Sequence, residues 1–150
     1  MRSSGWGPSA ILGRACHLSH HIDQGPISKT GWEVYPSGLR AVLERYSHLG
    51  IPLMVTENGI ATDNEGLRRE FILRHLESLA QALKKGIKVA GYFYWSLLDN
   101  FEWAMGTQAR FGLAAVDFCN QERKVRAFAE DYKRVCSENR LSLVKECDDI

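Results

Sequence analysis

Two short apolar runs in this 150-residue chain each end abruptly in chemically capable side chains. Leu53-Met54-Val55 leads into Thr56-Glu57-Asn58-Gly59, and Val89 to Tyr94 leads into Trp95-Ser96-Leu97-Leu98-Asp99-Asn100-Phe101-Glu102-Trp103. An apolar run of this length, closed by turn-forming residues, reads as a buried strand. Strands of that kind belong to parallel sheets, whose functional groups collect at strand C-termini. Glu57 therefore reads as a group held on rigid scaffolding. The residues alone also allow a plainer reading, a strand-end carboxylate that caps a helix or joins an ion pair.

The segments around these runs alternate in type. Leu39, Val42, Leu43, Tyr46 and Leu49 recur at helical spacing after Pro36, and Gly50-Ile51-Pro52 stops the helix. A second helix is predicted over 66–85, with Leu67, Phe71, Leu76, Leu79 and Leu83 as its apolar stripe. Arg68, Arg69, Glu77, Lys84 and Lys85 fall largely off that stripe, and Gly86 provides a C-terminal stop. The second strand is predicted over Val89 to Leu97. An extended piece from Phe111 to Phe118 turns at Asn120, and a last helix covers Val125 to Asn139. Helix, strand, helix, strand, helix with short connections predicts the α/β class and a parallel sheet. Residues 1–30, rich in Gly, Ser, His and Pro, read as a loop, and residues 140–150 as a charged tail.

Composition narrows the partners. A net charge of +1 supplies no electrostatic pull toward nucleic acid or acidic lipid. No apolar run reaches the roughly 18 residues of a membrane-spanning helix. The start, Met1 to His20, lacks the pattern of a secretory signal, because its apolar stretch is short and broken by Arg14. Cys16, Cys119, Cys136 and Cys147 form no CxxC or zinc-ligand spacing and read as reduced thiols of a cytoplasmic protein. His17, His20 and His21, with Cys16 and Asp23 beside them, match no recognised metal-ligand spacing, so no metal site is expected.

Several polar residues read as structural. Asp99 and Asn100 suit a loop fixed by side-chain to backbone bonds, and Arg110 is placed with them. His75 reads as a partly buried helix residue. Lys124, Arg126, Lys133 and Arg134 are interspersed with acids and read as the solvated face of the last helix. Trp95 and Trp103 taken singly are core aromatics or ligand platforms, and their shared segment with Glu102 favours platforms.

Taken together, Thr56-Glu57-Asn58-Gly59 after one strand and Tyr94-Trp95-Ser96-Leu97-Leu98-Asp99-Asn100-Phe101-Glu102-Trp103-Ala104-Met105-Gly106 after the next resemble the last third of glycoside hydrolase family 1. Gly31-Trp32-Glu33-Val34-Tyr35-Pro36 and Arg110-Phe111-Gly112-Leu113 extend the resemblance over residues 31–139. The family comprises retaining β-glucosidases and β-galactosidases. The resemblance implies the C-terminal part of a (β/α)8 TIM barrel, about two barrel strands with their helices. It further implies Glu57 as catalytic nucleophile, Trp95 as stacking wall for the sugar, Glu102 and Trp103 as binders of sugar hydroxyls, and no metal or cofactor. The substrates implied are small β-glycosides or oligosaccharides.

Departures from the family pattern bear on function. The family's acid/base glutamate lies in an Asn-Glu-Pro motif, which does not occur in these residues. A complete barrel takes about 250 residues, so the barrel is expected to be incomplete. Hydrolysis of terminal β-glucosides or β-galactosides is thus expected of the complete enzyme, and inactivity of these residues alone. The alternative is a non-catalytic piece, or half of a split enzyme, that binds sugar weakly or associates through exposed sheet edges. Met105 and Thr107 stand where the family usually has an acidic and an aromatic residue, and Ser37 replaces a commoner acidic one.

Overall fold

The computed structural model describes residues 25–141. Most of the N-terminal loop, the histidine cluster, Cys16, Cys147 and the tail beyond residue 141 lie outside the described residues. The described chain opens with a folded-back segment in which Ile27 bridges Glu33 and the Val34 N–H donates to the Pro26 carbonyl. Helix α1 follows over Pro36–Tyr46, with Pro36 at the first turn, where its missing N–H costs nothing. A 3-10 turn at Ser47–Leu49 continues it. Strand β1 is Leu53–Asn58, helix α2 Glu65–Lys84 and strand β2 Val89–Tyr94. A second 3-10 turn covers Trp103–Met105, a hairpin joins β3 (Ala114–Val116) to β4 (Arg123–Val125), and α3 runs over Phe128–Glu138.

Strands β1 and β2 pair in parallel with α2 as the crossover, the arrangement the alternation predicts. The Asn64 side chain caps α2, its Oδ1 accepting from the Leu67 N–H at 3.0 Å. Gly86 (φ +82°) then turns the chain into β2 through a left-handed conformation that suits glycine. Val55 packs with Leu43 and Ala82, while Tyr94 packs with Ile60, Phe71, Ile72, Leu76 and Phe128. The core thus lies on the helix side of the sheet. On the other face Met54 and Phe93 are more than half exposed, at 54% and 56%.

This one-sidedness corrects the prediction of strands buried on both faces. Two strands of a barrel enclose no interior, so the side chains that would fill it face solvent. Val42, Tyr46 and Leu49, which share helical spacing with buried Leu43, are also about half exposed. On α2 the apolar stripe is rotated from its predicted position. Leu83 is 48% exposed, whereas Arg68 is fully buried. β2 ends at Tyr94, before Leu97, because the chain leaves the β1 edge there and pairs with the hairpin, Leu98 bridging Ala114.

The last helix starts at Phe128 because Val125 belongs to β4, paired antiparallel with Ala114. The turn at Asn120 supplies the reversal, its Oδ1 accepting from the Glu122 N–H at 2.8 Å. Arg126 consequently lies before the helix and points inward. Lys124, Lys133 and Arg134 remain exposed. Among the described residues no helix is long and apolar enough to cross a membrane. Cys119 and Cys136 are exposed free thiols.

Ile72 is fully buried at the centre of the larger cluster. Ile72→Ala is expected to cost about 2–5 kcal/mol in denaturant unfolding.

Candidate active site

The site begins with an irregularity at the end of β1. Val55 pairs with Tyr92 and Asn58 with Tyr94, so three steps along β1 match two along β2. Strict alternation would put residue 57 on the same side as buried Val55. The bulge instead leaves both Thr56 and Glu57 exposed, re-aiming the Glu57 side chain away from the helix layer. The Glu57 carboxylate meets no hydrogen-bond donor or cation among the described residues, which disfavours a capping or ion-pair role. Its neighbour is fixed, since the Tyr92 hydroxyl donates to Asn58 Oδ1 at 2.8 Å.

The next strand delivers Trp95 beside it. The Trp95 N–H donates to the Asn58 carbonyl at 3.0 Å, prolonging the ladder by one rung. The Trp95–Ser96 peptide bond is cis. Gly59 permits this approach, because a Cβ there would lie 1.7 Å from the Trp95 carbonyl oxygen. The Trp95 indole donates from Nε1 to Glu102 Oε1 at 3.0 Å, leaving the second carboxylate oxygen of Glu102 uncommitted. Trp103, at φ +45° on the adjoining 3-10 turn, is 84% exposed.

The loop bearing these groups is fastened by Asp99, which is 3% exposed. One oxygen accepts from the Gly112 N–H at 2.8 Å, and Arg126 reaches both oxygens at 3.0 Å. Arg110 adds a longer contact at 3.3 Å while donating to the Val116 carbonyl at 2.7 Å. Burial acts to raise the Asp99 pKa, but the Arg126 hydrogen bonds and charge and the Gly112 N–H outweigh it and hold the carboxyl below its usual range. Asp99 and Arg110 are the structural residues the sequence suggests. Arg126, expected on a solvated helix face, is the correction: a buried carboxylate needs a paired cation, and Arg126 supplies it.

His75 lies under the site on α2. Its Nδ1–H donates to the Phe71 carbonyl at 2.7 Å, and its ring packs against the Phe71 ring with centroids 3.9 Å apart and planes tilted by 30°. Burial pushes its pKa down to about 4, so the imidazole is neutral at physiological pH.

Glu57, Trp95, Glu102 and Trp103 line a single open cleft of about 540 Å³, together with Trp32 and His75. All four residues singled out from sequence are thus brought together. Trp32 belongs to a motif legible in sequence, yet its place on the cleft, with its indole 57% exposed, depends on the folded-back segment before α1. A carboxylate without partners beside flat indoles and a second carboxylate is suited to a polyhydroxylated ring with an apolar face. Among the described residues no group of three His, Cys, Asp or Glu side chains is arranged to hold a metal.

A parallel strand–helix–strand unit with its cleft at the strand C-termini is an α/β building block of the kind that (β/α)8 barrels repeat. The sequence model of glycosyl hydrolase family 1 matches residues 14–141, and the chain belongs to that family. It is 44% identical over 101 residues to a β-galactosidase of Pyrococcus woesei, covering 67% of this chain and 20% of that protein. It is 41% identical over 116 residues to the chloroplastic galactolipid galactosyltransferase SFR2 of Arabidopsis thaliana, covering 75% of this chain and 18% of that one. The solved β-glycosidase from Pyrococcus horikoshii superposes with a TM-score of 0.78 at 41% identity, over 81% of this chain and 29% of its own. The chain therefore spans less than a third of the length of these proteins.

Two measurements test this geometry. Gly59→Ala must displace the Trp95 backbone, and is expected to cost about 1–3 kcal/mol and to shift tryptophan fluorescence. For His75 the unfolded chain binds a proton between pH 6.5 and about 4 that the folded chain refuses. Stability should therefore fall as pH drops through that window, by on the order of 3 kcal/mol in total. In His75→Gln this part of the pH dependence should vanish from urea titrations.

Proposed function

We propose that these residues carry the nucleophile side of a retaining β-glycosidase site. On this reading Glu57 attacks the anomeric carbon of a terminal β-linked glucose or galactose, forming a carbon–oxygen bond as the glycosidic carbon–oxygen bond breaks. Water then attacks the same carbon, giving its proton to the base that had protonated the departing oxygen, and the Glu57 carboxylate is freed as the sugar leaves. Trp95 offers its indole to the C–H face of the ring, while the free oxygen of Glu102 and the Trp103 indole N–H take hydroxyls. Trp32 supplies a further apolar surface along the cleft. The chemistry calls for no cofactor, and the free Cys119 and Cys136 suit a reducing, cytoplasmic setting. The observation that carries the reading is the convergence of an unpartnered Glu57 with Trp95, Glu102 and Trp103 on one cleft.

The departing oxygen needs a proton, and the family's Asn-Glu-Pro acid is not among these residues. A missing acid/base forfeits about 10²–10⁴-fold in rate. Incomplete walls also forfeit positioning, which contributes several kcal/mol. We therefore assign no appreciable hydrolysis to these 150 residues alone. The exposed inner face at Met54 and Phe93, and the outer edges of the β1–β2 pair, favour a role completed by further barrel units.

A 2,4-dinitrophenyl β-glucoside, whose leaving group needs little protonation, is expected to resist the chain alone. Adding a polypeptide with the preceding barrel units and the Asn-Glu-Pro glutamate should bring turnover, and Glu57→Gln should remove it. Fast turnover by the chain alone that disappears in Glu57→Gln would overturn its assigned inertness. Undiminished turnover of the completed enzyme carrying Glu57→Gln would refute the nucleophile assignment.

A further inference from the structure

The most unusual side chain in the core is Arg68, fully buried on α2. Its Nη1 donates to the Ile60 carbonyl at 3.0 Å and to the Arg110 carbonyl at 2.9 Å, and its Nη2 donates to the Thr62 carbonyl. Glu65 Oε1, which accepts from Arg126 Nε at 3.0 Å, lies 3.6 Å from the Arg68 Nε, and the guanidinium faces the Phe128 ring at 5.7 Å. A buried cation is costly unless its donors are used, and here the two terminal nitrogens are spent on backbone oxygens of two separate loops, while Nε has no hydrogen-bond partner among the described residues.

Those two loops hold the cleft. Ile60 and Thr62 lie in the turn immediately after Glu57 and Asn58. Arg110 precedes Phe111, whose carbonyl accepts from the Ser96 N–H, and Leu113, whose N–H donates to the Ser96 carbonyl. One guanidinium therefore ties the turn behind Glu57 to the strip of chain paired beside Trp95. Lysine has a single nitrogen at this reach and cannot span three carbonyls, whereas the planar fork of arginine can.

We propose that Arg68 is a positioning residue of this cleft, a buried clamp that sets the separation between the Glu57 carboxylate and the wall formed by Trp95 and Glu102. The assignment rests on the sugar-site reading above for its ligand, but the clamp itself is a property of the two loops.

The test compares wild type, Arg68→Lys and Arg68→Met by amide hydrogen exchange in the full chain. Exchange at Trp95, Ser96, Gly112 and Leu113 should accelerate at least about tenfold relative to amides in the middle of α2 in both variants. In Arg68→Met, low millimolar guanidinium should restore part of that protection and equal sodium chloride should not. Uniform acceleration across loops and α2 would reduce Arg68 to a core filler and overturn the proposal, as would unchanged loops. If Arg68→Met does not fold, Arg68→Lys carries the comparison, and unfolding of both without relief by guanidinium also overturns it. Glucoimidazole titrated against tryptophan fluorescence should bind wild type and bind Arg68→Lys at least about tenfold more weakly. Loosened loops with undiminished binding would overturn the positioning role. Split exchange in a wild type that ignores glucoimidazole would leave the clamp standing and remove the sugar-site reading.

Discussion

The loops at the C-terminal end of the sheet are held by two buried charges of opposite sign. Arg68 collects carbonyl oxygens from the turn after β1 and from the loop after β2. Asp99 collects the Gly112 N–H and two arginines, from the loop before β3 and from the chain entering α3. Arg110 joins the two sets, giving its carbonyl to Arg68 and its side chain to Asp99. Apart from Ile60, which reaches the main core, these loops bury only the small cluster of Ala61, Ala109 and Phe111, and the two ions add direction to those apolar contacts. Directional bonds to buried ions are stronger than neutral ones, and the cost of leaving either ion unpaired excludes other loop arrangements.

The rigidity so obtained is used where the backbones come closest. Gly59 lies against the Trp95 carbonyl, and the Trp95 N–H reaches Asn58. The main chain that carries Glu57 is thereby held against the main chain that carries the indole, while the Glu57 side chain itself is exposed. Glu102, a residue of the longer loop, is steadied by the Trp95 Nε1. A carboxylate whose partner is an indole N–H keeps one oxygen free at a set angle. That is what recognition of adjacent hydroxyls requires, and a solvated glutamate does not provide it.

The order of elements and the convergence of Glu57, Trp95, Glu102 and Trp103 were legible in sequence because both follow from local pattern. Each functional segment directly continues an apolar run, and a parallel pair places both ends on one side. Burial was legible less well. Period-based reading assigns a side chain to the core by its own polarity, so Arg68 was placed outside and Leu83 inside, the reverse of what α2 shows. Arginine enters a core only where several carbonyls point into one spot, and that is a tertiary property. Arg126 escaped for the same reason, since its partner Asp99 is distant in sequence. The bulge that turns Glu57 outward has no signature in the residues of β1, because it depends on the mismatch in register with β2.

The open face of the sheet explains why strands that read as buried on both sides are buried on one. Met54 and Phe93 have the character of barrel-filling residues, and a Cβ added at Gly91 would touch both side chains, within 4 Å of each. Their exposure is an unfavourable hydration of apolar surface, at about 25 cal/mol per Å², that further barrel units would relieve. Further strands would pair the free edges of β1 and β2 in the same step. On the reading proposed here that step would also bring the missing acid opposite Glu57. Burial of the open face and completion of the chemistry are then one event, driven by the same apolar surface. The bonds of Arg68 and Asp99 are already formed within these residues, so the Glu57 side of the cleft need not wait for that event to acquire its shape.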